Sequence, residues 1–281
     1  MKNLISFRGM SERVDDLSAN RLYAIIGKFI GENLVPEVDS ILISKPIKHS
    51  RSSANHLLIL TINEGRLVAL KRCYDSPDFM RRELVMAEAR LLMAFPDYSV
   101  KLEHGLNLRC EGSNESCTMI RGWEDKDYLI IDFGSLGDRV DLAQLDYSLI
   151  RNREPFICQL GQWAAFNYLF VVRDRHPGNF LYEKSTGVVL SIDNEEGPFD
   201  SSGRILMPQD IVLQMKPLIN KILSLGDSDR LVSSFKSGFE MGWHLVAERL
   251  NELAHLTPNE IALTRVLLEQ DALSVSKSFI D

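Results

Sequence analysis

Val171-Val172-Arg173-Asp174-Arg175-His176-Pro177-Gly178-Asn179-Phe180-Leu181-Tyr182, with Val188-Val189-Leu190-Ser191-Ile192-Asp193 behind it, is the stretch around which the chain is organised. An apolar run delivers Asp174, His176 and Asn179 onto a short polar loop. Two strand-like segments, 180–182 and 188–192, flank a Ser185-Thr186-Gly187 turn and lead to a second acidic group, Asp193. An Asp, an Asn five residues on and another Asp fourteen beyond that suit phosphoryl transfer from a metal nucleotide. Asp174 then accepts or orients the acceptor hydroxyl. The Asn179 oxygen and Asp193 hold Mg²⁺, with Mn²⁺ as an alternative, on the phosphates of ATP.

Asp-Arg-His-Pro-Gly-Asn-Phe followed by an apolar strand ending in Ile-Asp resembles the atypical protein-kinase-like superfamily, which includes phosphoinositide 3/4-kinases and HipA-like kinases. The resemblance covers 163–196 closely and 40–134 in order and spacing, and is absent beyond 210. It implies an α+β, two-lobed, protein-kinase-like fold. Residues 1–134 would form an N-terminal lobe, a small antiparallel sheet with one key helix and a hinge. Residues 135–281 would form a larger, mostly helical C-terminal lobe. Asp174 and His176 would be catalytic, with His176 either taking part in the chemistry or bracing its loop. Arg173 and Arg175 would either contact phosphate or sit at the surface as ordinary charges.

The N-terminal half supplies the rest of the pattern. Segments 38–47, 56–63 and 66–72 are β-rich and apolar, with Asn63-Glu64-Gly65 as a tight turn. Val68-Ala69-Leu70-Lys71 matches the kinase pattern Val-Ala-Ile-Lys, so the resemblance assigns Lys71 to the nucleotide phosphates. A helix is expected from Ser76, its cap, through Phe95. On it Glu88 is the expected partner of Lys71, with Glu83 as the fallback. Between the first two strands the phosphate-facing loop contains Ser50, Ser52 and Ser53 but no glycine. Segment 127–134 reads as a buried strand ending in a turn and contains a literal Asp132-Phe133-Gly134. That tripeptide precedes Asp174, whereas a kinase needs it after the catalytic loop, so it reads as a hinge. Backbone groups around Ile131 and Phe133 would then bind adenine.

Elsewhere the pattern is plainer. Residues 1–19 read as a polar lead-in, 21–33 as an amphipathic helix, 101–109 as a strand and 140–150 as a helix. Residues 154–172 form a buried helix with Trp163, Phe166, Leu169 and Phe170 in the core. Beyond Pro208 the chain is helical over 211–225, 229–255 and 261–270, the last opened by the capping box Thr257-Pro258-Asn259-Glu260. Met241, Trp243 and His244 read as core.

The 281 residues carry a net charge of −7, which excludes a global basic field for nucleic acid or an anionic membrane. A hydrophobic share of 45% fits an ordinary globular chain. No secretory leader is expected, and the run 156–172 is interrupted by Gln159, Gln162 and Asn167, so neither membrane insertion nor export is expected and the chain reads as cytoplasmic. Four cysteines without metal-ligand spacing read as free thiols. The short acidic segment after Asp193 lacks the basic residues with which phosphoinositide kinases hold a lipid headgroup, which leaves a protein or small-molecule hydroxyl as acceptor. The competing readings are a pseudokinase scaffold, a kinase-fold AMP transferase and, last, a metal hydrolase using Asp174, His176, Asp193 and Glu196.

Overall fold

The apolar, β-branched runs between 38 and 72 form strands where their β propensity is densest. The computed structural model describes residues 4–7, 13–14, 40–44, 57–62, 66–72, 77–92, 100–106, 110–111, 126–135, 139–150, 152–192, 197–198, 205 and 207–281, and is α+β. The chain divides into two compact units. One is Met1–Met80 with Tyr98–Gly137; the other is Arg81–Asp97 with Asp138–Asp281.

The first unit holds β1 (Leu4–Phe7), β2 (Arg13–Val14), β3 (Ser40–Ser44), β4 (Leu57–Ile62), β5 (Arg66–Arg72), β6 (Val100–Leu106), β7 (Cys110–Glu111) and β8 (Lys126–Ser135). Six of them form one sheet in the order β1-β3-β4-β5-β8-β6, and β2 pairs with β7. The sheet is mixed, not antiparallel throughout: β1 runs parallel to β3, Leu4 opposite Ser40 and Phe7 opposite Ile43. Residues 4–7, within the expected lead-in, therefore form an edge strand, in keeping with the apolar run Leu4-Ile5-Ser6-Phe7. The expected helix at 21–33 and turn at 63–65 lie outside the described residues.

Val68, Ala69 and Leu70 are all buried, as are Tyr128 through Ile131. Successive strand residues point to opposite faces, so both faces of the central strands are covered. The expected turn at Asp132-Phe133-Gly134 does not form. β8 runs on to Ser135, with Asp132 opposite Val68 and Gly134 opposite Leu67. Two residues of β8 thus span one step of β5, and Phe133 is the extra residue of a bulge.

The helix α1 (Pro77–Leu92) begins in the first unit and continues from Arg81 in the second. The second unit then adds β9 (Arg139–Asp141), α2 (Arg153–Leu169), β10 (Phe180–Glu183), β11 (Val188–Ser191), α3 (Gln209–Leu223), α4 (Ser228–Arg249), α5 (Pro258–Leu268) and α6 (Ala272–Ser278). Its core is one apolar cluster joining Val85, Met86 and Ala89 of α1 to α2, α3 and α4. The helix α2 runs through the centre and is buried on every side from Trp163 to Leu169. Its crossing with α4 is close: a Cβ on Gly161 would stand 2.2 Å from the Phe235 carbonyl, and one on Gly238 2.0 Å from the Cys158 carbonyl.

The expected helix at 140–150 is instead β9, a turn and a single 3-10 turn at Tyr147–Leu149. The reason is local. Asp141 Oδ1 accepts from the Gln144 amide at 2.9 Å, and Asp146 accepts from the Ser148 amide and hydroxyl at 3.0 and 2.7 Å. Short acidic side chains bonding the nearby backbone compete with helix. Val140 meanwhile pairs with Tyr182 of β10. The capping box forms as expected, with Thr257 and Glu260 reciprocally bonded. A further helix, α6, escaped the sequence reading although Asp271 caps it by accepting from the Ser274 amide. Trp243 is in the core, but Met241 and His244 are exposed on α4 and are not core residues. Cys158 is a free, half-buried thiol whose pKa is pushed up by burial, which makes it a poor nucleophile. No described helix is long and apolar enough to cross a membrane.

Candidate active site

The helix α2 stops at Leu169, three residues before its apolar run does, because Val171 turns left-handed at φ 47°. Asp174 follows at φ 57°. Positive φ is rare for a β-branched residue, and each such residue costs on the order of 1–3 kcal/mol, sustained only where the surroundings over-determine it. The surroundings do so here. The Val172 amide folds back to the Asn167 carbonyl at 2.8 Å and the Val171 amide to the Tyr168 carbonyl at 3.2 Å.

Along the loop the side chains divide. Asp174 and His176 project outward, each side chain 56% exposed, while Arg175 between them is fully buried. Asn179 is buried and donates from Nδ2 to the Asp174 carbonyl at 2.5 Å and toward Asp174 Oδ2 at 3.5 Å. A carbonyl only accepts, so the amide nitrogen must face it, and the Asn179 oxygen is not spent on Asp174. His176 Nδ1 accepts from the Gly178 amide at 3.1 Å, capping the 3-10 turn Pro177–Asn179. With Nδ1 accepting, the ring proton sits on Nε2, 3.8 Å from Asp174 Oδ2. His176 therefore braces the loop and also faces Asp174. A Cβ on Gly178 would meet the imidazole Cε1 at 2.9 Å, so a larger residue here would have to displace the His176 ring.

Arg175 is neither a surface charge nor phosphate-facing. Its guanidinium donates to Ser191 Oγ at 3.0 Å, to the Ile192 carbonyl at 3.1 Å and to the Arg173 carbonyl at 3.0 Å. Its backbone amide donates to Gln214 Oε1 of α3 at 2.8 Å. The loop is thereby bolted to the end of β11. The Ile192 amide also donates to the Asn179 carbonyl at 2.9 Å, so the residue just before Asp193 is bonded to Asn179. The hairpin is held to α2 in turn. Gln159 accepts from the Val189 amide at 2.9 Å and donates to the Gly187 carbonyl at 3.0 Å, and the Trp163 indole donates to the Val189 carbonyl at 2.9 Å. Gln159 carried a readable signal, a polar side chain inside an apolar helix, which burial obliges to find partners.

Behind the loop lies a buried ionic hub that sequence reasoning missed. Glu260 is 3% exposed and accepts from Arg81 at 2.6 and 3.1 Å, from Arg82 at 2.9 Å and from the Thr257 amide and hydroxyl at 2.9 and 2.8 Å. Arg82 also donates to the Phe170 carbonyl at 2.7 Å, and the Thr264 hydroxyl to the Leu169 carbonyl at 3.2 Å. Burial pushes the Arg82 guanidinium below its ordinary pKa against the opposing charge of Glu260. Burial alone would raise Glu260, but the Arg81 bond, the Arg82 charge and the Thr257 bonds outweigh it and hold its carboxyl below the usual value.

Glu88 is held by His255, ring Nδ1 to carboxylate at 2.6 Å and backbone amide to carboxylate at 3.2 Å, so its carboxylate is already engaged within the second unit. Glu83, the fallback, is 1% exposed. Lys71 is half-buried on β5, opposite Leu57 and Leu129. Ile131 lies between Ala69 and Val100 with a strand on each side, so the open edge of β8 begins only at Asp132 among the described residues. Ile131 is thus an inner residue of the sheet, and its backbone is not on the open edge where the expected hinge needs it. Ser50, Ser52, Ser53, Asp193, Glu195 and Glu196 lie outside the described residues. Among the described residues no group of three or more His, Cys, Asp or Glu converges as a metal site.

No protein-family model and no curated protein matches the chain. Among solved structures it is similar to the open conformation of CtTel1, at 13% identity and a TM-score of 0.46, over 88% of this chain and 12% of that one. It is likewise similar to the FAT and kinase domain of CtTel1, at 13% and 0.46, over 88% and 22%. A third is the complete CtTel1 dimer with C2 symmetry, at 13% and 0.44, over 88% and 12%. The chain thus spans less than a quarter of the length of these structures.

Proposed function

We propose that the protein is a phosphotransferase that uses ATP and Mg²⁺ to phosphorylate a hydroxyl on a protein or small molecule. The observation that carries this reading is the pairing of Asp174 with Asn179. The acidic side chain is exposed, and the buried amide beside it spends its nitrogen on Asp174 and not its oxygen. Asp174 has the open aspect a hydroxyl-orienting group needs, since phosphoryl transfer depends on positioning more than on basicity. Mg²⁺ or Mn²⁺, held by Asn179 Oδ1 and Asp193, would neutralise phosphate charge there. The bond from Ile192 to Asn179 supports Asp193 as the second ligand, because it ties the residue before it to the first. Lys71 has the chemistry of a phosphate-binding amine. His176, braced on Gly178, would hold Asp174 oriented through Nε2.

The test is incubation with MgATP labelled at the γ or the α position, alongside Asp193→Ala. Label from γ on protein or product, lost in the variant, supports the phosphotransferase. Transfer of α label reassigns the site to AMP transfer. Binding without turnover leaves a nucleotide-sensing scaffold, and failure to bind MgATP removes the reading.

A further inference from the structure

Arg82 has more to do than hold α1 in place. It sits where three segments meet: the carbonyl end of α2, the chain following Asp193, and the capped start of α5. A helix ends with unsatisfied carbonyls, and those of α2 leave just before the left-handed Val171 that launches the Asp174 loop. The Phe170 carbonyl takes its bond from Arg82 and the Leu169 carbonyl from Thr264, so α1 and α5 together fix where the loop begins.

The third segment is recorded by a glycine. Gly197 lies four residues beyond Asp193, and a Cβ added to it would stand 2.8 Å from Arg82 Nε, 3.1 Å from Cδ and 3.3 Å from Cζ. The backbone there lies directly against the guanidinium. Arg82 cannot swing aside without abandoning Glu260 and Phe170. Its Nε, buried and without a hydrogen-bond partner among the described residues, is turned toward this glycine.

We propose that Arg82 is a positioning residue that locks the start of the Asp174 loop and the chain after Asp193 into one register, with Glu260 of α5 as its anchor. This rests on the phosphotransferase reading for its catalytic consequence and on geometry for the coupling itself. Arg82 touches neither Asp174 nor Asn179 through any described bond. Its action is through the backbone at Phe170 and Gly197, one on each side of the proposed ligand set.

The experiment compares wild type, Arg82→Ala, Gly197→Ala and the double variant by two readouts. The first is γ-phosphate release from MgATP; the second is amide hydrogen exchange over 171–179, with the α4 core as internal reference. Each single variant is expected to lower kcat about tenfold or more with KM for MgATP little changed, the pattern of misplaced rather than unbound groups. Exchange over 171–179 should rise while α4 stays protected. The double variant should lose no more than Arg82→Ala alone, because removing the guanidinium makes room for the new Cβ. Losses that multiply in the double variant, or wild-type exchange over 171–179 in both singles, would overturn the proposal. Should Arg82→Ala fail to fold, Gly197→Ala with Arg82→Lys carries the same comparison. If wild type does not turn MgATP over, the phosphotransferase reading fails alone, and the exchange arm still decides the coupling.

Discussion

The two faces of the loop 173–179 differ more than any two neighbouring parts of this chain. Its outer face carries Asp174 and His176, more than half exposed and bonded to little beyond the loop itself. Its inner face carries Arg175 and Asn179, buried and bonded to β11, to Gln214 and to the loop's own backbone. Every second side chain from Asp174 to His176 is outside, and the one between is the anchor. If the proposed phosphotransfer holds, chemistry and stability fall to neighbouring residues, and substitutions on the two faces should fail in different ways.

The largest effect belongs to the outer face. Asp174→Asn should lower kcat about 10³-fold, the scale of losing a positioned acid–base group. Asparagine accepts left-handed φ readily, so the thermal midpoint should not fall. A variant that keeps wild-type turnover would remove Asp174 from the chemistry. One that loses both turnover and stability would dissolve the contrast between the faces.

The inner face should show the reverse. Arg175→Met keeps bulk but strips the donors from Ser191, Ile192 and Arg173, and should cost about 3 kcal/mol in urea unfolding, with a lower midpoint and an unchanged slope. If that variant unfolds like wild type yet loses activity, Arg175 belongs with the outer face after all.

The hub at Glu260 extends the inner face toward α1 and adds a pH dependence. Its carboxyl is held below the ordinary value of 4.5, so its contribution is fully present above that pH and is lost as pH falls through the lower, folded value. Glu260→Gln should therefore cost about 2 kcal/mol near neutrality, where Arg81 and Arg82 lose a charged partner. The difference from wild type should shrink on acidification as the native carboxyl protonates. Paired thermal melts from pH 7 to 3 test this, and a gap that stays constant would assign the cost to packing instead.

How much of this was legible in the sequence follows from range. The strands 57–62 and 66–72, the helix feeding the loop, the hairpin with Gly187 at φ 75° and the capping box are set by residues close together in the chain, and all were readable. The false helix at 140–150 failed because Asp141 and Asp146 bond their own backbone, a signal weaker than apolar spacing. The partner of Glu88 is His255, 167 residues away, and that of Arg82 is Glu260, 178 away; no local pattern announces either. Asp174 and Asn179 were visible because a five-residue loop brings them together. Arg175 was visible as a residue and not as an anchor, since Arg173, two positions earlier, looks the same in sequence and is only half-buried.

The smallest expected effect lies on the inner face one step further back. Asn167 is fully buried on α2, its Nδ2 reaches only the Met215 sulfur at 4.0 Å, and its Oδ1 has no partner among the described residues. A buried acceptor left unpaired costs about 1–3 kcal/mol, whereas leucine has the same branching, with two larger methyl groups in place of the amide oxygen and nitrogen, and no unmet bond. The backbone carbonyl that receives Val172 is kept in either case. Asn167→Leu should therefore stabilise the protein by about 1 kcal/mol and leave kcat where it was. A stabilised variant that loses turnover would mean that Asn167 is retained for the loop's sake. The boundary between the anchoring and chemical faces would then run through α2 instead of along the loop.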